Sequence, residues 1–153
     1  MSDSLVNFIK KISKGPIKYS DPRKLDIKII DRKIRKTIKY VNQSNWCWTI
    51  WSCQGHLHKD DSITLPYFSF IVKKKYVSKF FEILSDILPD YKSKKFPVVP
   101  NARIEVSKGY NNKKYCIVNV HFSEYFVKNR ILHKNFHKQC IVLSQVIRNF
   151  DGK

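Results

Sequence analysis

Acidic residues are scarce in this sequence. Asp and Glu number 12 against 30 Lys and Arg, which gives a formal charge of +18 at pH 7. Such a surplus destabilises the compact chain by self-repulsion, and a polyanion relieves it, most commonly through phosphates that displace counterions. The alternative is a lysine-rich surface that reflects a coding bias toward Lys, Ile, Asn and Tyr. The charge balance favours a phosphate-containing partner.

Arginine is scarce as well, since only six of the 30 cationic residues are Arg. Lysine is a flexible point charge, whereas the planar fork of arginine recognises base edges. The composition therefore favours contact with phosphates over direct reading of a base sequence.

Long hydrophobic runs are absent. No stretch approaches the roughly 20 apolar residues that cross a bilayer, and the first residues, Met1-Ser-Asp-Ser, lack the plan of a secretory signal. We expect a cytoplasmic protein in a reducing compartment, with no membrane partner. Its four cysteines are then expected to be thiols: Cys47, Cys53, Cys116 and Cys140.

Apolar residues are sufficient for a core, with 42% hydrophobic and 14% aromatic residues among 153. This composition argues against a disordered chain and fits a single domain over 1–153. Within it, we assign 1–22 to an N-terminal helix and arm, and 23–150 to an α+β core. The sequence shows no internal repeat and no low-complexity tract.

The hydrophobic spacing predicts four helices and four strands. The helices span about 3–13, 23–42, 75–88 and 123–150, with an irregular start to the second and a break near Asn129 in the last. The strands span 46–52, 67–72, 102–107 and 115–122, and 58–64 is a polar loop. This order predicts an α+β fold with a single, mainly antiparallel sheet and helices packed on one face.

Residues 46–58, Trp-Cys-Trp-Thr-Ile-Trp-Ser-Cys-Gln-Gly-His-Leu-His, hold all three tryptophans and two of the four cysteines. Strand alternation predicts Trp46 and Trp48 on one face and Trp51 on the other. An exposed tryptophan would stack on a base, but core packing is expected for at least two of the three.

The turn at Gly55 is the first candidate site, because successive backbone N–H groups in such a turn form an anion-binding concavity. Lysine clusters at the same sheet end would attract phosphates, although a charge run is usually a solvated face. A further cluster, Lys92, Lys94 and Lys95, lies in a Lys/Pro-rich connection. The predicted ligand-binding residues are Thr49, Ser52, Gln54, Gly55, His56, His58, Lys73, Lys74, Lys75, Lys113 and Lys114.

A second interpretation is catalytic, with Cys53 as nucleophile and His56 or His58 as general acid/base. An imidazole and a cationic field would lower the pKa of the thiol. The alternative is an ordinary buried cysteine.

A third interpretation is a zinc site formed by Cys47, Cys53, His56 and His58. Their C-x5-C-x2-H-x-H spacing is not a standard zinc pattern, and Cys47 alternates with tryptophans as a core residue would. We therefore predict no metal site.

The order of features over residues 8–88 resembles that of the wybutosine-synthesis tRNA methyltransferases. The similarity includes Lys14-Gly15-Pro16-Ile17, a helix, Asn42 or Asn45, and then the segment 49–56 with its Ser-Cys-x-Gly motif. The resemblance implies that Thr49, Ser52, Cys53 and Gly55 belong to a ligand loop. Gln54 and His56 replace the family's Ser and Arg, and the second half has no Gly-rich segment for S-adenosylmethionine.

These observations predict a small basic domain that binds a nucleotide or RNA at the 51–56 loop. A viral or mobile-element protein that sequesters nucleotide signals belongs to this class. The alternatives are an RNA-modifying enzyme related to the methyltransferases and a basic structural or assembly protein. Neither zinc nor S-adenosylmethionine is supported as a cofactor, and the oligomeric state is left open.

Overall fold

The computed structural model describes residues 2–12, 21–87, 102–107, 113–123, 125–128 and 130–150. The α-helices in this part are α1 (Ser2–Ile12), α2 (Arg35–Asn42), α3 (Val77–Ile87), α4 (Tyr125–Lys128) and α5 (Arg130–Asn149). The strands are β1 (Cys47–Cys53), β2 (His56–Leu57), β3 (Ile63–Thr64), β4 (Tyr67–Lys73), β5 (Ala102–Val106) and β6 (Tyr115–Phe122). The Lys14–Ile17 segment and the cluster at 92–95 lie outside the described residues.

The main sheet has four antiparallel strands in the order β1-β4-β6-β5. Its register pairs Cys53 with Tyr67 at one end and Cys47 with Val72 at the other. At this second end Lys73 pairs with Tyr115. Strands β2 and β3 form a separate small hairpin, in which β2 precedes the predicted polar loop 58–64 and β3 lies at its end. The predicted α+β class with an antiparallel sheet is confirmed.

The larger hydrophobic core, called here the main core, lies between one face of the sheet and the helices α2, α3 and α5. Trp46 is fully buried in it, and its indole N–H donates to the Ile147 carbonyl of α5 over 3.0 Å. The sheet contributes alternate residues of β4 and β6, as period-2 burial requires. They are Phe68, Phe70, Val72, Cys116, Val118, Val120 and Phe122.

The opposite face of the sheet is covered by α1, which forms a smaller second core. Leu5, Phe8, Ile9 and Ile12 occupy one side of the helix at the spacing of an amphipathic helix. They pack on Trp48, Ile50, Ile71, Tyr115 and Ile117. The predicted helical layer on one face is thus complemented by one helix on the other, and α1 is part of the packed unit.

The predicted helix over 23–42 is mostly replaced by short 3₁₀ turns, and α2 begins only at Arg35. Asp21 accepts a hydrogen bond from the Arg23 N–H, and Asp26 accepts one from the Lys28 N–H. Aspartate side chains that bond locally to the backbone compete with continuous helix. These turns agree with the irregular start expected for the helix, although the apolar spacing runs through them and does not show how far they extend.

The expected arrangement of the tryptophans is wrong. Trp46 precedes β1 and enters the main core, whereas Trp48 lies in the second core. The register shifts between Thr49 and Trp51, so a bulge at Ile50 breaks the alternation and Trp51 packs against the second core as well. Two of the three tryptophans are buried, as expected.

Candidate functional site

The predicted site is divided between the two ends of the main sheet. Cys53 and Gly55 lie where β1 ends and β4 begins, while Lys73 lies where β4 ends beside the start of β1. Six residue steps separate these ends, or roughly 20 Å at strand spacing. The prediction that the lysines and the Gly55 turn share one end of the sheet is wrong.

The turn at Gly55 is closed. Gly55 has φ +81°, and a Cβ built there would lie 2.7 Å from Pro66 Cγ and 2.8 Å from Val127 Cγ2. The Gln54 N–H donates to Asp31 Oδ2 over 3.1 Å, and the Gly55 N–H faces Cys53 Sγ at 3.4 Å. Because these donors are engaged and a carboxylate is beside them, the turn does not form the anion-binding concavity predicted from the sequence.

The side chains expected to assist this turn have local structural partners. Thr49 is buried, and both its N–H and its hydroxyl donate to Asn42 Oδ1, at 2.8 and 2.9 Å. Gln54 Oε1 accepts from the Lys33 N–H over 3.1 Å. Ser52 is half-buried in β1. Thr49 and Gln54 therefore stabilise the approach to the turn.

Cys53 and His56 do lie together, and Asp31 joins them. His56 Nε2 is 3.3 Å from Asp31 Oδ2. The ligand atoms of Asp31, Cys53 and His56 all lie within 4.8 Å of one another. Sequence reasoning missed Asp31, since it lies in a turn between two short 3₁₀ helices with no local pattern that points to Cys53.

The electrostatics of this cluster do not favour an activated nucleophile. Burial raises the pKa of the Cys53 thiol, the Gly55 N–H lowers it to a smaller extent, and the Asp31 charge raises it further. This direction is opposite to that of a reactive thiolate. Burial likewise raises the pKa of the adjacent Tyr67, with further contributions from Cys53 and Asp31. The catalytic role of Cys53 and His56 stays a prediction without electrostatic support.

The four residues considered for zinc are not brought together. Cys47 is buried in the main core. His58 is exposed, its Nε2 lies 2.8 Å from Thr64 Oγ1, and its ring centroid is 6.3 Å from that of His56.

The predicted lysines, by contrast, converge on a single cavity of about 370 Å³, called here the lysine cavity. The Lys74 N–H donates to the Lys114 carbonyl over 2.8 Å, which joins the end of β4 to the segment before β6. None of the described residues that line the cavity is acidic. They are Ser4, Lys73, Lys74, Lys75, Lys113, Lys114 and Tyr115.

Helix α1 forms one wall of the lysine cavity. Ser4 Oγ lies 2.9 Å from the Tyr115 hydroxyl, and Phe8 stacks on the Tyr115 ring at 5.4 Å between centroids. The wall therefore depends on the docking of α1 in the second core.

A smaller cavity of about 190 Å³ shares Lys73 and Tyr115 with the lysine cavity, and Arg23 and Trp48 also line it. The ammonium of Lys73 lies 5.9 Å from the centre of the Trp48 ring. The Trp48 indole N–H is buried and has no hydrogen-bond partner within the described part of the chain. This tryptophan is too buried to be a stacking platform.

Comparison of the chain with protein-family models, with curated proteins and with solved structures found no match. Among the described helices, none is long and apolar enough to cross a membrane.

Proposed function

We propose that this protein binds a nucleotide or an RNA, and that the phosphates occupy the lysine cavity. The observation that supports the proposal is the convergence of five lysines from two separate chain segments on one cavity without an acidic residue among its described lining. Its volume of about 370 Å³ falls within the range of ligand pockets. On this proposal the ligand binds at the opposite end of the sheet from the 51–56 loop.

Phosphate is the ligand chemistry that best fits this lining. Clustered ammonium groups repel one another, and a multiply charged anion removes that repulsion while counterions are released. Among the described residues, no salt bridge involves Lys73, Lys74, Lys75 or Lys113. The overall charge of +18 would also accelerate the encounter with a polyanion.

The adjoining cavity supports a nucleotide over a simple anion. Its lining is continuous with that of the lysine cavity through Lys73 and Tyr115, and it adds the apolar side chains of Leu5 and Trp48. A sugar or base could pack on this apolar surface while the phosphates contact the lysines, as expected for a mostly apolar pocket with a few polar groups.

The proposal is tested by two double charge reversals of equal net charge. Lys74→Glu with Lys113→Glu alters the cavity, whereas Lys28→Glu with Lys138→Glu alters exposed lysines that do not line it. Binding of fluorescent oligouridylate and of ATP is measured by anisotropy and calorimetry at two salt concentrations. We expect the cavity variant to lose at least about tenfold in affinity, since each lost phosphate contact weakens binding, and the control variant to lose much less.

Equal losses of affinity in both variants would show that binding depends on the overall positive charge of the protein. That result would contradict a binding site in the lysine cavity. No binding of either ligand by the native protein would also contradict the proposal and favour a structural or assembly role. The resemblance to the tRNA methyltransferases, and with it the enzymatic alternative, stays a prediction.

A further inference from the structure

The sheet end opposite the lysine cavity brings together a carboxylate, a thiol and an imidazole. We propose that Asp31, Cys53 and His56 form a zinc site with three protein ligands. Carboxylate oxygen, thiolate sulfur and imidazole nitrogen are the donor types that zinc takes from proteins. Within the described residues, this is the only group of three such side chains close enough to share an ion.

The distances fit a tetrahedral ion. Two ligands about 2.0–2.1 Å from zinc at a tetrahedral angle stand about 3.3 Å apart, and His56 Nε2 lies 3.3 Å from Asp31 Oδ2. In the same geometry, a sulfur ligand and an oxygen or nitrogen ligand stand about 3.6 Å apart. The ligand atoms of Asp31, Cys53 and His56 all lie within 4.8 Å of one another. A closure of about 1 Å would complete the site.

The side chains that would make this adjustment are the accessible ones. The Asp31 and His56 side chains are 33% and 40% exposed, whereas Cys53 is only 8% exposed. The thiol is thus a fixed ligand in the wall of the site, and the other two rotate onto the ion from the solvent side. The fourth position faces solvent and suits a water molecule, as in zinc sites with three protein ligands.

Backbone N–H groups of the Gly55 turn support the two anionic ligand atoms. The Gly55 N–H lies 3.4 Å from Cys53 Sγ, and the Gln54 N–H donates to Asp31 Oδ2 over 3.1 Å. Such outer contacts orient metal ligands and stabilise their negative charge. Zinc would displace the Cys53 thiol proton to solvent, so that the thiolate and the Asp31 carboxylate together neutralise the dication.

Cobalt(II) titration of the metal-free full chain tests the site, because cobalt replaces zinc and reports a thiolate ligand by a charge-transfer band. We expect a stoichiometric band in the native protein, and its loss in Cys53→Ser. In Asp31→Asn and His56→Gln we expect affinity to fall by at least about tenfold, the scale of metal-site losses. His58→Gln is the matched control, since His58 is a neighbouring exposed histidine outside the cluster, and it should titrate like the native protein.

Zinc should also raise the unfolding temperature of the native protein and of His58→Gln, and at the same zinc concentration it should raise that of His56→Gln clearly less. If Cys53→Ser does not fold, Asp31→Asn and His56→Gln decide the outcome through this measurement. The absence of a charge-transfer band in the native protein, or a band that persists in Cys53→Ser, overturns the proposal. The cavity variant Lys74→Glu with Lys113→Glu should give the same cobalt band as the native protein, because none of the three metal ligands lines the lysine cavity. Failure of the zinc site is thus separate from failure of the lysine cavity.

Discussion

At the scale of single residues, Gly55 fixes the geometry of the turn that joins β1 to the small hairpin. Its φ of +81° is a left-handed conformation that a side chain disfavours. The atoms of Pro66 and Val127 also occupy the space that a Cβ would need. The residue is therefore required for both conformation and close packing.

Gly55→Ala is expected to lower the free energy of unfolding by about 2–4 kcal/mol, from left-handed strain together with overpacking. Urea unfolding followed by tryptophan fluorescence measures it. Val127→Ala removes one of the two clashing neighbours, so the double variant should cost less than the sum of the single changes. Strict additivity would show that Val127 does not limit the space at Gly55.

The candidate sites show which residue-level features a sequence can reveal. The lysines of the cavity lie together because β4 and β6 are antiparallel neighbours in the sheet, which brings the end of β4 to the start of β6. Their separation from Gly55 follows from the antiparallel pairing of β1 with β4. Asp31 could not be predicted, since its approach to Cys53 depends on how the 3₁₀ turns of 21–34 cross the end of β1, and no periodicity encodes that path.

At the scale of elements, α1 has a dual role, because it covers the second core and forms a wall of the lysine cavity. Its buried side chains Leu5, Phe8, Ile9 and Ile12 are each at most 4% exposed. Phe8 additionally stacks on Tyr115. The stability of this helix therefore comes from docking on the sheet, as expected for a short helix.

Phe8→Ala is expected to cost about 3–5 kcal/mol, the range for removal of a buried phenylalanine. Asn7→Ala is the matched control, because Asn7 is exposed on the same helix, and it should change stability by less than about 0.5 kcal/mol. Chemical denaturation of both variants makes the comparison. Equal, small effects would mean that α1 does not dock on the sheet as described.

The elements themselves were largely predictable where local pattern and tertiary structure agree. The strands at 67–72 and 115–122 and the helix at 75–88 have one dominant periodicity each and lie within a residue or two of prediction. The failures have physical causes, namely the Asp21 and Asp26 turns that interrupt the second helix and the bulge at Ile50 that rotates Trp51. In each case one or two residues interrupt an otherwise regular pattern of apolar spacing.

At the scale of the whole molecule, four buried thiols link stability to pH. Burial raises the pKa of Cys47, Cys53, Cys116 and Cys140 above the ordinary thiol value. Unfolded thiols ionise near pH 8.5, so above that pH the unfolded chain releases protons that the native chain retains. The stabilisation that comes from keeping these thiols protonated is fully present below the pKa of the unfolded-state thiols. It is lost as the pH rises toward the pKa values of the folded state.

The free energy of unfolding should therefore fall between about pH 8.5 and 9.5, by up to about 1.4 kcal/mol per pH unit for each thiol. Urea titrations in reductant measure it. Cys140→Ala will be less stable at every pH. The decrease of its unfolding free energy with pH should, however, be smaller than that of the native protein by the contribution of one thiol. An unchanged slope would show that Cys140 ionises in the native protein as readily as in the unfolded chain.

The contact between Ser4 and Tyr115 has a consequence for how the protein would respond to occupancy. Because α1 closes one side of the lysine cavity, anion binding and the docking of α1 would be coupled. An anion bound there would stabilise the docked helix by the same free energy by which docking strengthens anion binding. Amide exchange and protease nicking in residues 2–12 would slow when the lysine cavity is occupied. Conversely, a change that undocks α1 from the sheet would weaken anion binding without altering any lysine of the cavity.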